Sequence, residues 1–131
     1  MKTLFSYFCL LFITTVNAQD IRGTWIISSV IHDKEAEEYI LSPRTDMRWG
    51  NFIEFTDLNT FTSYNSWPCG NDCFITSKGR YNLSNNTVSL FLNSLEYNVY
   101  CKELKPLKDT DLGVFTITHK DDNIILKKVK K

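Results

Sequence analysis

Residues 87–103 read TVSLFLNSLEYNVYCKE, and this stretch decides the fold class. Val88, Leu90 and Leu92 are apolar at every second position, and the alternation resumes at Leu95, Tyr97, Val99 and Cys101 with polar residues between. A two-residue period gives a β-strand one face for a core and one face for water. The stretch therefore predicts half-buried strands.

Polar turn clusters divide the rest of the chain after Gln19 into short segments rich in β-branched and aromatic residues, which predicts further strands. Short polar connections suited to hairpins lie at 57–59, 84–86 and 121–122. The predicted strands are Gly23–Ile31, Asn51–Thr56, Thr60–Asn65, Phe74–Leu83, Thr87–Leu92, Leu95–Glu103, Val114–Lys120 and Asn123–Val129. Strands in such a series can close on themselves, which removes exposed sheet edges. We predict an all-β fold, a small antiparallel up-and-down barrel of about eight strands.

One connecting segment, Asp33–Leu41, has the features of a helix. Asp33 can cap it, acidic residues favour its first turns, and Pro43 stops its propagation. The sequence therefore predicts a short helix in the loop between the first two predicted strands. The whole connection, His32–Trp49, is longer than a hairpin needs, and we expect it to form a lid over the barrel.

The amino terminus has the pattern of a signal peptide. Lys2 supplies a positive start, residues 4–13 are almost wholly apolar, and Val16-Asn17-Ala18 suits the peptidase groove. We expect a signal peptide over 1–18 and one domain over 19–131, secreted or periplasmic. The apolar run is too short to span a bilayer, and no cysteine directly follows the cleavage point, so no membrane anchor is expected.

Charge and motifs exclude several function classes. Without Lys2, 14 basic residues face 15 acidic ones, so nucleic acid is not an expected partner. His32 and His119 are the only histidines, and neither has a nucleophile at motif spacing. The cysteines lack the two close pairs of most zinc sites, and phosphate-loop and hydrolase motifs are absent from the sequence. We expect no enzyme, no catalytic residues, no metal and no cofactor, and a monomer.

The first predicted strand opens with Gly23-Thr24-Trp25. This resembles the Gly-x-Trp signature of lipocalins, in particular the small lipocalin-like (calycin) domains of secreted bacterial proteins. The resemblance implies an eight-stranded up-and-down barrel in which Gly23 and Trp25 are structural, with Trp25 closing the floor. No arginine follows Arg80, so Lys127 or Lys128 would take the place of the family's arginine against this tryptophan.

Five side chains in or near the long loop and the cysteine turn are candidates for binding, since exposed apolar groups in such places often contact a ligand. They are Tyr39, Met47, Trp49, Tyr64 and Trp67. The lipocalin resemblance implies that the partner is a small apolar ligand. The alternative is a non-catalytic cell-envelope interaction module whose barrel is filled.

Three cysteines, Cys69, Cys73 and Cys101, lie in the expected domain. Cys69 and Cys73 flank one turn, whereas Cys73 and Cys101 would lie at opposite ends of the predicted meander, beyond the reach of a bridge. We predict a disulfide between Cys69 and Cys73, and a buried Cys101 thiol. The order of Cys73, Gly79-Arg80-Tyr81 and Cys101 also resembles that of META domains, which implies a bridge to Cys101 and a sheet-and-helix packing.

Overall fold

A computed structural model describes residues 20–46, 48–102 and 107–130. Its strands form one closed antiparallel barrel, in agreement with the predicted fold class. The strands are β1 (Gly23–Ile27), β2 (Glu38–Pro43), β3 (Gly50–Phe55), β4 (Thr60–Ser66), β5 (Ile75–Ser84), β6 (Thr87–Tyr97), β7 (Thr110–Lys120) and β8 (Asn123–Lys128). The predicted signal peptide over 1–18 lies outside the described residues. Among those residues, no helix is long and apolar enough to cross a membrane.

The two ends of the barrel differ. At one, which we call the hairpin end, three short turns join β3 to β4, β5 to β6 and β7 to β8. These are the polar connections predicted from the sequence, and Asn59, Asn85 and Asp121 adopt positive φ angles in them. At the other, the loop end, the longer connections 28–37 and 67–74 lie together with residues 98–102 and 107–109, the described parts of the connection from β6 to β7.

The strand order departs from a simple meander at one point. β1 pairs with both β2 and β3, and β2 pairs with β8 on its other side. The connection 44–49 must therefore return from the hairpin end to the loop end past β1. Arg44 from this connection lies 4.7 Å from the ring centroid of Phe52, a β3 side chain that faces away from the barrel and is nevertheless buried. Arg44 thus packs against the outside of the wall.

Alternating side chains from all eight strands fill the barrel. This core includes Ile27, Tyr39, Leu41, Ile53, Phe55, Phe61, Tyr81, Val88, Leu90, Leu92, Phe115, Ile117, Ile124 and Leu126. The loop 28–37 contributes Ile31, which is fully buried and whose backbone N–H donates to Ser63 Oγ at 3.2 Å. Ser63 is itself buried and donates to the Phe52 carbonyl, so the loop is anchored inside the barrel mouth.

The segment predicted as a helix, Asp33–Leu41, contains no helix in the structure. Asp33 does act as a cap, because its Oδ1 accepts hydrogen bonds from the backbone N–H groups of Glu35 and Ala36. The turn does not propagate, since residues from Glu38 onward pair with β8 as strand β2. Strand geometry turns Tyr39 and Leu41 into the core, and burial of these two side chains outweighs the helical preference of the acidic residues.

The lid prediction over His32–Trp49 fails for the same reason. β2 is part of the barrel wall, and of the described residues in this range only 32–37, 44–46, 48 and 49 lie outside a strand. Because Tyr39 and Leu41 are almost completely buried, this central part cannot open without exposing the core.

Candidate functional site

The loop end is clamped by a disulfide between Cys73 and Cys101, whose Cα atoms are 4.7 Å apart. The predicted bridge between Cys69 and Cys73 is therefore wrong, and so is the expected Cys101 thiol. Cys69 is a free, exposed cysteine. The sequence predicts two strands over residues 87–103. The extra chain reversal between them would carry Cys101 to the end of the barrel opposite Cys73. The structure has one strand, β6, antiparallel to β5, so Cys73 before β5 and Cys101 after β6 meet at the same end.

Two half-buried asparagine side chains attach the cysteine loops to the barrel. Asn98 Nδ2 donates to the Asp72 carbonyl at 2.9 Å, and Asn98 Oδ1 accepts from the Phe74 N–H at 3.2 Å. Asn65 Nδ2 donates to the Cys73 carbonyl at 2.9 Å, and its Oδ1 accepts from the Ile75 N–H at 2.9 Å. Each side-chain amide both donates and accepts a hydrogen bond, and together these bonds fix the path of the loop 67–74.

Exposed apolar side chains lie around the loop end, at or next to the ends of the neighbouring strands β3, β4, β5 and β6. We call this set the aromatic rim: Trp49, Trp67, Tyr97, Val99 and Tyr100. Trp49 and Trp67 flank the last paired positions of β3 and β4, and Tyr97 pairs with the first residue of β5. The rim therefore forms an arc of apolar surface at one end of the barrel.

The structure separates the five residues predicted to bind. Trp49 and Trp67 lie together on the aromatic rim. Tyr64 lies on the outer wall, where its ring packs 5.5 Å from that of Phe52 and its hydroxyl accepts a hydrogen bond from Arg44. Tyr39 is buried in the core against Phe115, with ring centroids 5.7 Å apart, and desolvation raises the pKa of its phenol. Met47 lies outside the described residues.

Sequence reasoning missed Tyr97, Val99 and Tyr100 as surface residues. The alternation predicted a buried face that included Tyr97 and Val99, but β6 ends at Tyr97 and Val99 is 86 % exposed. Asn98 between them was the available signal, because an asparagine next to a cysteine turn often binds backbone groups of a neighbouring loop.

Buried aromatic side chains pack against one another inside the barrel. At Gly79 an added Cβ would clash with the backbone carbonyl oxygen of Phe91 and would also lie 2.6 Å from the ring of Phe61, so the neighbouring strand and this ring both require glycine. Phe61 in turn packs beside Phe55, which makes an edge contact with Tyr81 at 5.0 Å. Burial raises the pKa of the Tyr81 phenol, and its hydroxyl donates to the Thr56 carbonyl.

Trp25 is half-buried near the hairpin end and packs against the core. Its indole Nε1–H donates to the Ile21 carbonyl at 2.8 Å, and Gly23 two residues earlier has a φ of +117°. The lysines predicted to pack on this ring are elsewhere. Trp25 pairs with Pro43 on β2 and Lys127 with Glu38, roughly 16 Å apart along that strand. Lys128 Nζ donates instead to the Lys34 carbonyl at the loop end.

The two histidines lie at opposite ends of the barrel. His32 Nδ1 lies 2.8 Å from the Val30 carbonyl and its Nε2 lies 3.7 Å from an Asp33 oxygen. His119 is exposed near the end of β7. In the part of the chain that the structure describes, no group of three or more histidine, cysteine or acidic side chains is arranged to hold a metal ion.

Two grooves run along the outside of the barrel. One, of about 460 Å³, lies beside the β3–β4 turn on the outer face of β5 and β6, where the Arg80 guanidinium covers the Phe91 ring at 4.7 Å. The other, of about 770 Å³, lies between residues 34–37, the Gly113 bend of β7 and the end of β8. Lysine and acidic side chains both line it, so it has no single charge.

Comparison of the chain with protein-family models, with curated proteins and with solved structures found no match.

Proposed function

We propose that this protein is a non-catalytic binding module, secreted or periplasmic, that contacts a cell-envelope protein partner through the aromatic rim. The observation that carries the proposal is the exposure of five large apolar side chains along one arc of a clamped barrel end. Such side chains are normally buried, and contiguous exposed ones mark interaction surfaces.

The rigidity of the loop end supports this proposal. The disulfide and the hydrogen bonds of Asn98 and Asn65 hold the loops that carry Trp67 and Tyr100 in a fixed conformation. A surface that is ordered before binding loses less conformational entropy when the partner arrives. Tyrosine and tryptophan are also the residues that contribute most to protein interfaces. A disulfide is compatible with the proposed oxidising location.

The packed interior is the reason to place the contact on the outside of the barrel. The Phe61 ring lies against Gly79, and Ile31 lies in the barrel mouth. Both side chains take up space that a ligand would need. Eight-stranded barrels are at the size where side chains alone can fill the lumen.

The test compares capture of proteins from a cell-envelope extract by wild type, a Trp67→Ala/Tyr100→Ala variant and a Leu58→Ala control. Leu58 is 84 % exposed at the hairpin end, so its truncation removes exposed apolar surface far from the rim. We expect a defined protein whose capture falls about tenfold or more in the rim variant alone, because an aromatic hot spot contributes roughly 2 kcal/mol. Equal capture by all three proteins would contradict the proposal.

A small apolar ligand is the second candidate, as the lipocalin resemblance implies. The closed eight-stranded barrel is compatible with that fold, and the rim tryptophans Trp49 and Trp67 would meet such a ligand at the mouth. Native mass spectrometry of protein taken from its host is expected to show a retained small molecule in this case, and less of it in Trp49→Ala. A bare protein mass that an added apolar dye does not change would count against this candidate.

A further inference from the structure

Three cysteines lie at the loop end, and the disulfide uses only two of them. Cys69 is free and exposed, whereas Cys73 and Cys101 are half-buried in their bridge. The chain between Cys69 and Cys73 is a turn, because the Asp72 N–H donates to the Cys69 carbonyl at 3.3 Å. A turn of this kind keeps the Cα atoms of its first and fourth residues, Cys69 and Asp72, within about 7 Å, and Cys73, one end of the disulfide, is the next residue.

We propose that Cys69 and the Cys73–Cys101 bridge form an intramolecular thiol–disulfide exchange switch. The Cys69 thiolate attacks the sulfur of Cys73, a Cys69–Cys73 bond forms, and the Cys73–Cys101 bond breaks with Cys101 leaving as a thiolate. Cys69 loses its proton to water, and Cys101 takes one up. One disulfide and one thiol are present before and after, so no external oxidant or reductant is needed.

The exchange changes what holds the segment after β6. In the observed bridge, Cys101 is bonded covalently to Cys73, just before β5, and the preceding Val99 and Tyr100 are held on the rim. After exchange, the hydrogen bonds of Asn98 to Asp72 and Phe74 remain as the attachment of this end of the segment. The bridge then closes only the turn 69–73, and Val99 and Tyr100 gain freedom.

The observed isomer is the expected majority form. The folded chain holds the Cα atoms of Cys73 and Cys101 4.7 Å apart, within the range of an ordinary disulfide, whereas a Cys69–Cys73 bridge must fit within a single turn. The second isomer is therefore a minor state, and any partner that prefers the freed segment shifts the equilibrium towards it. The exchange does not depend on the proposed binding function, because it is read from the thiols alone.

The test maps the free thiol in folded wild-type protein. The protein is held at pH 8.5, where thiolate attack is faster, and portions are quenched with excess maleimide before digestion and peptide mapping. We expect most label on Cys69 and a minority, between about 0.1 and 10 % of molecules, on Cys101 together with a linked Cys69–Cys73 peptide. Label on Cys69 alone would overturn the proposal. So would equal labelling of Cys73 and Cys101, which indicates general scrambling, or bridges between two chains.

Cys101→Ser gives an independent measurement, with oxidised glutathione as the oxidant. If the barrel spectrum is kept, Cys69 and Cys73 are expected to form a bridge and resist alkylation. A folded Cys101→Ser protein in which both thiols remain open to alkylation would overturn the proposal. Cys69→Ser is the matched control for the mapping, since its Cys101 is expected to stay unlabelled at every time point.

Discussion

The two ends of this barrel are built by different means. The hairpin end is closed by short turns with asparagine or aspartate at positive φ, and by Trp25 packed against the core. The loop end has long connections, two asparagine side chains bonded to backbone groups, a disulfide and the exposed aromatic rim. Local turn chemistry is sufficient where the chain reverses directly. Where it does not, covalent and polar links hold the loops, and exposed apolar surface can be placed on them.

The largest loss of stability is expected from a core substitution near the hairpin end, where Phe61 packs beside Phe55. Phe61→Ala removes a buried ring that lies on Gly79 and should lower the free energy of unfolding by about 3 to 5 kcal/mol. Urea unfolding followed by tryptophan fluorescence measures it. Leu58→Ala, in the turn just before Phe61, is the control and should change stability by less than about 0.5 kcal/mol. A Phe61→Ala loss below about 1 kcal/mol would show that this part of the core is not tightly filled.

The covalent link should contribute nearly as much at the loop end. In a Cys69→Ser background, reduction of the Cys73–Cys101 bridge should cost about 3 to 4 kcal/mol, because the closed loop is long. Urea midpoints with and without a reductant give the difference. Amide exchange should also increase in residues 98–102 and stay unchanged in the β7–β8 turn. Uniform loosening of both ends would show that the bridge does not act locally.

The smallest of these effects is expected for the polar links. Asn98→Ala leaves the Asp72 carbonyl and the Phe74 N–H without their side-chain partner and should cost about 1 to 3 kcal/mol. Asn98→Asp keeps the acceptor for Phe74 and loses the donor, so an intermediate value is expected from thermal unfolding. Asn82→Ala, on the exposed outer face of β5, serves as the neutral control. A stability of Asn98→Ala equal to that control would mean that water replaces both bonds.

Most of the wall was predictable because its strands alternate and its turns are polar. The prediction failed at β2, where a run of acidic residues after Asp33 favours a helix locally while Tyr39 and Leu41 are needed in the core. It failed again at β6, which was divided into two strands. The pairing of β6 with β5 shifts by one residue opposite Lys78 and Gly79. This β-bulge interrupts the alternation without ending the strand. That single error reversed the expected direction of the chain at Cys101.

The candidate site was predictable only in part. Trp49 and Trp67 stood out as aromatic residues beside turn-forming sequence, and the structure places both on the rim. Tyr39 has the same chemistry but faces inward, because a strand register decides its direction and the sequence predicted no strand there. The contributions of Asn98 and Asn65 depend on loops far apart in sequence, which pairing of β5 with β6 and β4 brings together.

The insertion of β2 between β1 and β8 also sets an order of events for folding. Ile40 pairs with Ile125, so one of the first strands to be synthesised has no partner on that side until the last strand is complete. Contacts of such high sequence separation form late and slowly, since a long loop must close first. The hairpins from β3 to β8 can assemble along the chain as it lengthens. The ring then closes in a final step, and before it the apolar side chains of β2 and β8 are open to solvent or to another chain.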